Sequence, residues 1–430
     1  MSNSRLIRIG LRQFAAGMLS VLSLGILNRI MKVEMGLDLG LVSLVIGAHY
    51  FAAPLAIPLG HQSDRRPLFG FHRSPYILLG AALTALMIAL IPFSALFLDR
   101  TAGSLLAAWV AGVVFFLLGV GMFAAGTAYL SLVSDLTTAD QRGRSISVIW
   151  SMMMLGILAG VFLGVGLLDR YSPEALIELF LVMAALLLIL TVVAVAGQEA
   201  PGAVRPSVEM LPGRSAWRLL AGSRQTRLFF LFLLSGILFL FLQQVVLEPF
   251  GGDVFGMSVR QTTLFNAYQM IGVLGGMAIA GRWLSTRLGD KTTAGIGLLI
   301  ASFSFAMLGM AGLSGARSLV HPAILGMGLG MGLFNVGGLA LMIGMATPRE
   351  TGLFMGIWTL AQAIGNGVAS VGGGLLHDLA MAAGGAESAA YSTVFLVEAA
   401  GLLLTLVVLQ QLSLAGFQRE AALSRTLEAA

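Results

Sequence analysis

Residues 60–76 read GHQSDRRPLFGFHRSPY, a polar turn holding three arginines, two histidines and an aspartate between two apolar runs. The run before it is LVSLVIGAHYFAAPLAIPL and the run after it begins ILLGAALTALMIALIPFSALFL. Each is about the length that crosses a hydrocarbon core of about 30 Å as a helix. The turn is therefore a surface loop joining two membrane helices. Gly60 permits close helix approach. Asp64 can meet the partial positive charge of a helix N-terminus or pair with Arg65, Arg66 or Arg73. Gly60, Asp64, Arg65 and Arg73 read either as a latch on the cytoplasmic side or as a solvated turn that obeys the positive-inside rule.

The same pattern of apolar run and short polar loop fills the chain. Of 430 residues, 57% are hydrophobic and 10% charged, and mean hydropathy is +0.92; soluble globular chains carry about 25% charged residues. The runs do not alternate polar and apolar, which excludes a barrel. Twelve transmembrane helices are predicted, at Gly10–Met31, Gly40–Leu59, Pro75–Leu98, Ser104–Val133, Ser145–Leu168, Pro173–Ala196, Leu228–Val246, Thr262–Trp283, Thr292–Leu313, Leu319–Met345, Gly352–Leu376 and Tyr391–Leu412. The fold class is an all-α polytopic membrane protein. The N-terminus opens like a signal peptide with Arg5, Arg8 and Arg12. Its apolar stretch is too long and lacks a small-x-small cleavage site, so it reads as a retained first helix.

Charge sets the orientation. Nineteen of the 25 basic residues fall on the side of the membrane that holds both termini, which predicts a multi-pass protein with cytoplasmic N- and C-termini. The sequence pI is about 10, yet the basic residues are spread over short loops, so nucleic acid is not an expected partner. The proline-bearing interval 197–227 separates two six-helix halves, 1–196 and 228–430. It is either a plain linker or, in SAWRLLAGSRQTR, a basic amphipathic helix on anionic lipid. A weak internal repeat crosses it. TTADQRGRSISVIWSMMMLG (137–156) and ATPRETGLFMGIWTLAQAIG (346–365) place Gly143 and Gly352 thirteen residues before Gly156 and Gly365, as duplicated halves would.

Enzyme chemistry finds no template. There is no Cys, so disulfides and thiolate metal sites are excluded, and no P-loop, nucleophile elbow or HExxH is present. The protein is not expected to be an enzyme. The fourth and tenth spans carry no charge, and Glu248 lies near the end of the seventh. That pattern disfavours a conventional proton-coupled carrier of polar cargo.

The loop GHQSDRR followed by Arg73 resembles the G-x-x-x-D-R/K…R/K turn between the second and third helices of the major facilitator superfamily, more widely spaced. LGILNRIMKVEMGL from Leu24, APLAIPLGHQSD from Ala53 and GFHRSPYILLG from Gly70 together resemble the bacteriochlorophyll delivery family of that superfamily, the PucC- and LhaA-like assembly factors. The short N-terminus is similar to the branch associated with (bacterio)chlorophyll synthase. His72 departs from the family pattern, in which a basic pair commonly stands there. The resemblance implies a major facilitator fold and the handling of bacteriochlorophyll or a late precursor. It further implies hand-over of that pigment to light-harvesting or reaction-centre apoproteins. Partners would be pigment synthase, antenna polypeptides and membrane lipid, in the intracytoplasmic photosynthetic region of a bacterial inner membrane.

Polar residues inside spans are the candidate site, because ionisable and amide groups are costly in a bilayer. Asn28 and Arg29, with Lys32 and Glu34 beyond them, stand toward the outer end of helix one. Arg29 can pair with a pigment carbonyl, a phospholipid phosphate or Glu34, or snorkel to the interface. His49 is the histidine set well inside a span, and neutral imidazole can be an axial ligand to a chlorin magnesium. Alternatively, Tyr50 or the helix backbone satisfies it within the packing. The second half offers Gln243, Gln244 and Glu248 on helix seven, Asn335 on helix ten, and Gln362 with Asn366 four apart on helix eleven. They converge on a central cavity or glue helices together. His377 is placed at the interface. In helix ten, Gly326 with Gly330 and Gly328 with Gly332 are small-x-x-x-small pairs that admit a helix or a flat ring. A second reading of the whole chain is a secondary transporter of a hydrophobic small molecule working by alternating access.

Overall fold

The computed structural model of the chain describes residues 3–55, 58–59, 62–63, 66–137, 142–168, 171–199, 224–345 and 351–413. Gly60, Asp64, Arg65 and the greater part of the 197–227 interval lie outside these residues. Two compact units emerge, Met1–Ser207 with Leu247–Ala267, and Val208–Val246 with Tyr268–Ala430. The described residues form helices and no strand.

In the first unit, α1 (Asn3–Ser20) continues through a π-helical turn at Val21–Ile26, the turn Leu27–Arg29, and a second π-helical turn at Ile30–Glu34. Then come α2 (Leu39–Gly47), which passes into a 3-10 helix at Ala48–Leu55, α3 (Ser74–Arg100), α4 (Leu105–Leu136), α5 (Arg142–Leu167) and α6 (Pro173–Val195). The start of α6 shows how local chemistry sets a boundary. Ser172 accepts from the Ala175 N–H at 3.1 Å, Pro173 supplies a preset φ, and Glu174 faces the positive end of the helix, together ending the loop there. Helix α1 packs along α5, and α3 packs between α4 and α6. At the first crossing Gly156 lies against the Phe14 carbonyl, and Gly160 against Met18. Bare backbone lets the two helices touch main chain to main chain, the packing that replaces hydrophobic burial within lipid.

The second unit holds α7 (Arg224–Phe241), a 3-10 turn at Leu242–Val245, α10 (Asp290–Ser314), α11 (Val320–Met345), α12 (Thr351–Ala382) and α13 (Glu387–Gln411). Helices α8 (Leu247–Phe255) and α9 (Val259–Ile279) lie between α7 and α10 in the chain. Helix α10 stops at Gly315, whose φ of 69° is the left-handed conformation that favours glycine. The four glycines of the two small-x-x-x-small pairs in α11 are spent on packing. Gly326 and Gly330 face Ser304, Gly297 and Ala301 of α10, while Gly328 and Gly332 face Gln269 and Val273 of α9. Of the two uses open to these pairs, the structure shows helix packing.

A helical segment stands at each predicted span, but nine helices among the described residues are long and apolar enough to cross a membrane. The other three expected spans fall on helical segments of a different kind or extent. The first helix is broken by π turns beside Arg29, Lys32 and Glu34. The second, Leu39–Leu55, is shorter than a span, and its 3-10 half contains Pro54, which removes a backbone donor. The eleventh lies in α12. Arg224–Arg227, assigned by sequence to the linker, begins α7.

Candidate functional site

Both π turns in the first helix bracket Leu27–Arg29. Such turns widen the backbone to i→i+5 spacing and recur at functional sites. Here the spacing has a direct consequence. Arg29, 3% exposed, places Nη1 2.6 Å from Oε1 of Glu34, five residues on, one of the partners the sequence left open to it. Its Nη2 donates to the Met257 carbonyl at 2.7 Å. Asn28 is wholly buried beside it. Arg29 therefore does not snorkel; it is an internal cation neutralised by Glu34.

Glu248, which the sequence grouped with Gln243 and Gln244, belongs instead with this group. Glu248 is buried on α8 and accepts from Asn266 Nδ2 at 2.6 Å. The space it fills is vacated by Gly25, because a side chain there would strike Oε1 of Glu248. Its second oxygen, Arg29 Nε and Thr263 Oγ1 are buried with no hydrogen-bond partner. The signal was a carboxylate beside an apolar run; the partner residues were too distant in sequence to name.

His49 sits on the 3-10 helix, buried, with Nδ1 2.6 Å from the Ile46 carbonyl. A carbonyl oxygen can only accept, so Nδ1 carries the proton and Nε2 keeps its lone pair. That is the tautomer a metal-ligating histidine uses, fixed by the hydrogen bond of its other nitrogen. Tyr50 stacks on the ring, centroids 3.9 Å apart and planes tilted by 37°. Gly119 of α4 lies against the His49 main chain, which fixes the segment from the other side. A chlorin magnesium fits the donor chemistry of this residue.

The second-unit candidates do not assemble into one constellation. Gln243 donates its main-chain N–H to Oε1 of Glu398 at 2.5 Å, satisfying an amide released where α7 gives way to its 3-10 turn. Glu398 is wholly buried and was missed, although a carboxylate inside TVFLVEAAGLLL is visible in the sequence. Gln244 Oε1 is buried without a partner. Asn366 donates to the Gln362 main-chain carbonyl at 2.9 Å, and Asn335 is half-buried. Among the described residues no hydrogen bond joins the side chains of Gln243, Gln244, Asn335 and Gln362 to one another. His377, expected at the interface, is 1% exposed, with Nδ1 2.9 Å from Asp378 and Nε2 3.8 Å from Glu387. The two carboxylates compensate its burial.

Arg73 of the 60–76 loop forms a network among the described residues; Asp64, its expected partner, lies outside them. Arg73 reaches Asp135 of α4 at 3.4 Å and Ser63 at 2.9 Å. Glu199, just past α6, accepts from the N–H groups of His72, Arg73 and Ser74 and from the Ser74 hydroxyl. The carboxylate thus caps the N-terminus of α3. Burial alone raises the Glu199 carboxyl, but the hydrogen bonds from Ser74, His72 and Arg73 outweigh it and hold the group below the usual carboxylate range. A depressed value means the cap stabilises α3 above the unfolded pKa of about 4.3 and is lost as pH falls through the folded value. Hydrogen exchange across residues 72–78 is expected to be slower in wild type than in Glu199→Gln at neutral pH. The difference should close on acidification below about pH 4; a difference constant with pH would contradict the cap.

The helix arrangement defines the class. The nucleoside transporter NupG, as a point variant, superposes with a TM-score of 0.74 over 95% of this chain and 99% of its own, at 15% identity. The POT family transporter PepTSo gives 0.70 over 97% and 99%, at 14% identity. The chain shares the fold of these transporters, the major facilitator fold. It belongs to the PUCC protein family, whose model matches residues 26–417. It is 32% identical to a Rhodobacter capsulatus protein called "Uncharacterized protein in puhA-bchM intergenic region", over 94% of this chain and 88% of the relative. It is 31% identical to the "Bacteriochlorophyll synthase 44.5 kDa chain" of Rhodobacter capsulatus, over 87% of each. "Protein PucC" of Rhodovulum sulfidophilum is 30% identical, over 87% of this chain and 85% of that one.

Proposed function

We propose that this chain is a non-enzymatic assembly factor of the photosynthetic membrane. It binds bacteriochlorophyll or a late precursor and passes it to light-harvesting or reaction-centre apoproteins, in contact with the pigment synthase or antenna polypeptides. The observation that carries this reading is His49, whose Nδ1 bond to Ile46 leaves Nε2 to a metal. The names borne by its relatives support the pigment class. Bound pigment would supply the light-absorbing macrocycle and its magnesium; the protein's part is to ligate and shelter it. In this reading both termini are cytoplasmic, the chain folds as halves 1–196 and 228–430, and Arg73 with Asp64 and Arg65 latches the cytoplasmic side.

The test is an absorption spectrum, with pigment extraction and mass analysis, of the protein gently purified from its own membranes. Stoichiometric bacteriochlorophyll or precursor, with synthase or antenna polypeptides co-purifying, is the expected result. A colourless, folded, partnerless protein would overturn it. That outcome would favour the second reading, a transporter of a hydrophobic small molecule, which the likeness of the fold to transporters supports.

A further inference from the structure

The Glu248 site is independent of pigment and is not explained by it. A buried carboxylate needs several donors to persist as an anion. Glu248 has one, Asn266, on Oε1, while Oε2 has none. The charged group facing it is Arg29 of the first helix, whose Nη1 and Nη2 are already committed to Glu34 and the Met257 carbonyl. From α9 it meets the neutral Asn266; from the first helix, the bare backbone of Gly25. On its own helix the next acid is Asp253, a half-exposed residue toward the other end. The nearest guanidinium is thus already spent, and the unpartnered Oε2 is where a proton would sit.

We propose that Glu248 is a proton-binding site whose occupancy locks α8 and α9 onto the π-turned segment of the first helix. With the proton on Oε2, the side chain is a neutral acid that tolerates burial against Gly25 and keeps its Asn266 bond. Removal of the proton leaves a buried anion with a single donor. The energetically cheaper arrangement is then separation of α8 from Gly25, so that water reaches the carboxylate. The sign follows: the contact is closed at low pH and loosens as pH rises. The π turns suit this role, because a backbone already widened at Val21–Ile26 and Ile30–Glu34 can readjust without breaking a regular helix. The charge pair Arg29–Glu34 stays in place in both states and anchors the moving contact.

The experiment uses the full chain in lipid nanodiscs. Hydrogen exchange of peptides covering residues 21–34 and 247–257, corrected for intrinsic rate, is followed from about pH 5 to about pH 9. Wild type is expected to lose about tenfold in protection as pH rises, the equivalent of about 1.4 kcal/mol. Glu248→Gln, a permanent mimic of the protonated acid, should keep the low-pH protection throughout. Equal pH profiles in the two proteins overturn the proposal. Infrared difference spectra supply a readout that does not depend on the variant's folding: a carboxylic-acid C=O band should titrate away in wild type. Assignment to Glu248 uses its absence in Glu248→Gln, since Glu398 is a second buried acid. Absence of any titrating acid band would likewise overturn it, whatever the outcome of the pigment measurement.

Discussion

Gly156→Leu is expected to leave little folded protein in the membrane, whereas Gly166→Leu, ten residues along the same helix, is expected to be silent. A Cβ at Gly156 would fall on the Phe14 carbonyl oxygen, with Phe14 Cα 2.9 Å away. Main-chain atoms cannot swing aside as a side chain does, so α1 and α5 must separate along their whole contact. Overpacking commonly costs about 1–3 kcal/mol; a collision with main chain belongs at or above the upper end. Gly166 has nothing within 4 Å of the same hypothetical atom, and its replacement should stay within about 0.5 kcal/mol. Denaturant unfolding in detergent, with size-exclusion profiles, measures both. The internal repeat sharpens the comparison. Gly365 faces α7 of its own unit as Gly156 faces α1, but its nearest neighbour is a side-chain methyl, Ile237 Cγ2 at 2.8 Å. Gly365→Ala should therefore cost less than Gly156→Ala. Similar losses at both positions would show that main-chain contact is not what makes the first crossing intolerant.

Which features the sequence disclosed follows from how far apart the interacting residues stand. The turn at 60–76 announced two membrane helices because run length is a local property, and the equivalent glycines 156 and 365 emerged because the repeat is linear. The pairing of Arg29 with Glu34 was one of several the sequence left open, and the backbone geometry that selects it was not legible. An α-helical period places Lys32 beside Arg29, and nothing in LNRIMKVE says that the turn is π-helical. Glu248, Asn266 and Gly25 lie hundreds of residues from one another in part, and only folding shows that the absent side chain of one makes room for the carboxylate of another. Arg73 found Asp135, 62 residues on, and the α3 cap came from Glu199, in the interval read as linker. Glu398 is a different case: a carboxylate in an apolar run is a local signal, and only its partner, the Gln243 main chain, is remote.

His49→Gly is expected to lower pigment bound per protein by at least about tenfold while the fold survives. The proportion between the two effects is what makes the residue informative. Its contribution to stability is one hydrogen bond to its own helix, 2.6 Å from Ile46, and the stack on Tyr50. Losing the bond costs about 1 kcal/mol, small against the backbone collision at Gly156. Its contribution to pigment, if Nε2 is the axial ligand, is a metal bond with no substitute nearby in the segment Ala48–Leu55, which offers no other imidazole, carboxylate or thiolate. Tyr50→Phe keeps a ring against the imidazole and should retain pigment within about twofold. Free imidazole added to the glycine variant should restore ligation, because the vacated volume matches the missing ring; no merely structural role for His49 predicts that rescue. Pigment content unchanged in His49→Gly would remove the residue from the site. Loss without rescue would mean that the ring shapes the helix instead of holding the metal. Rescue would place the magnesium at the point where α2 changes pitch, against the main chain of α4, and would assign the 3-10 segment its purpose: it turns a buried histidine so that the backbone takes one nitrogen and leaves the other.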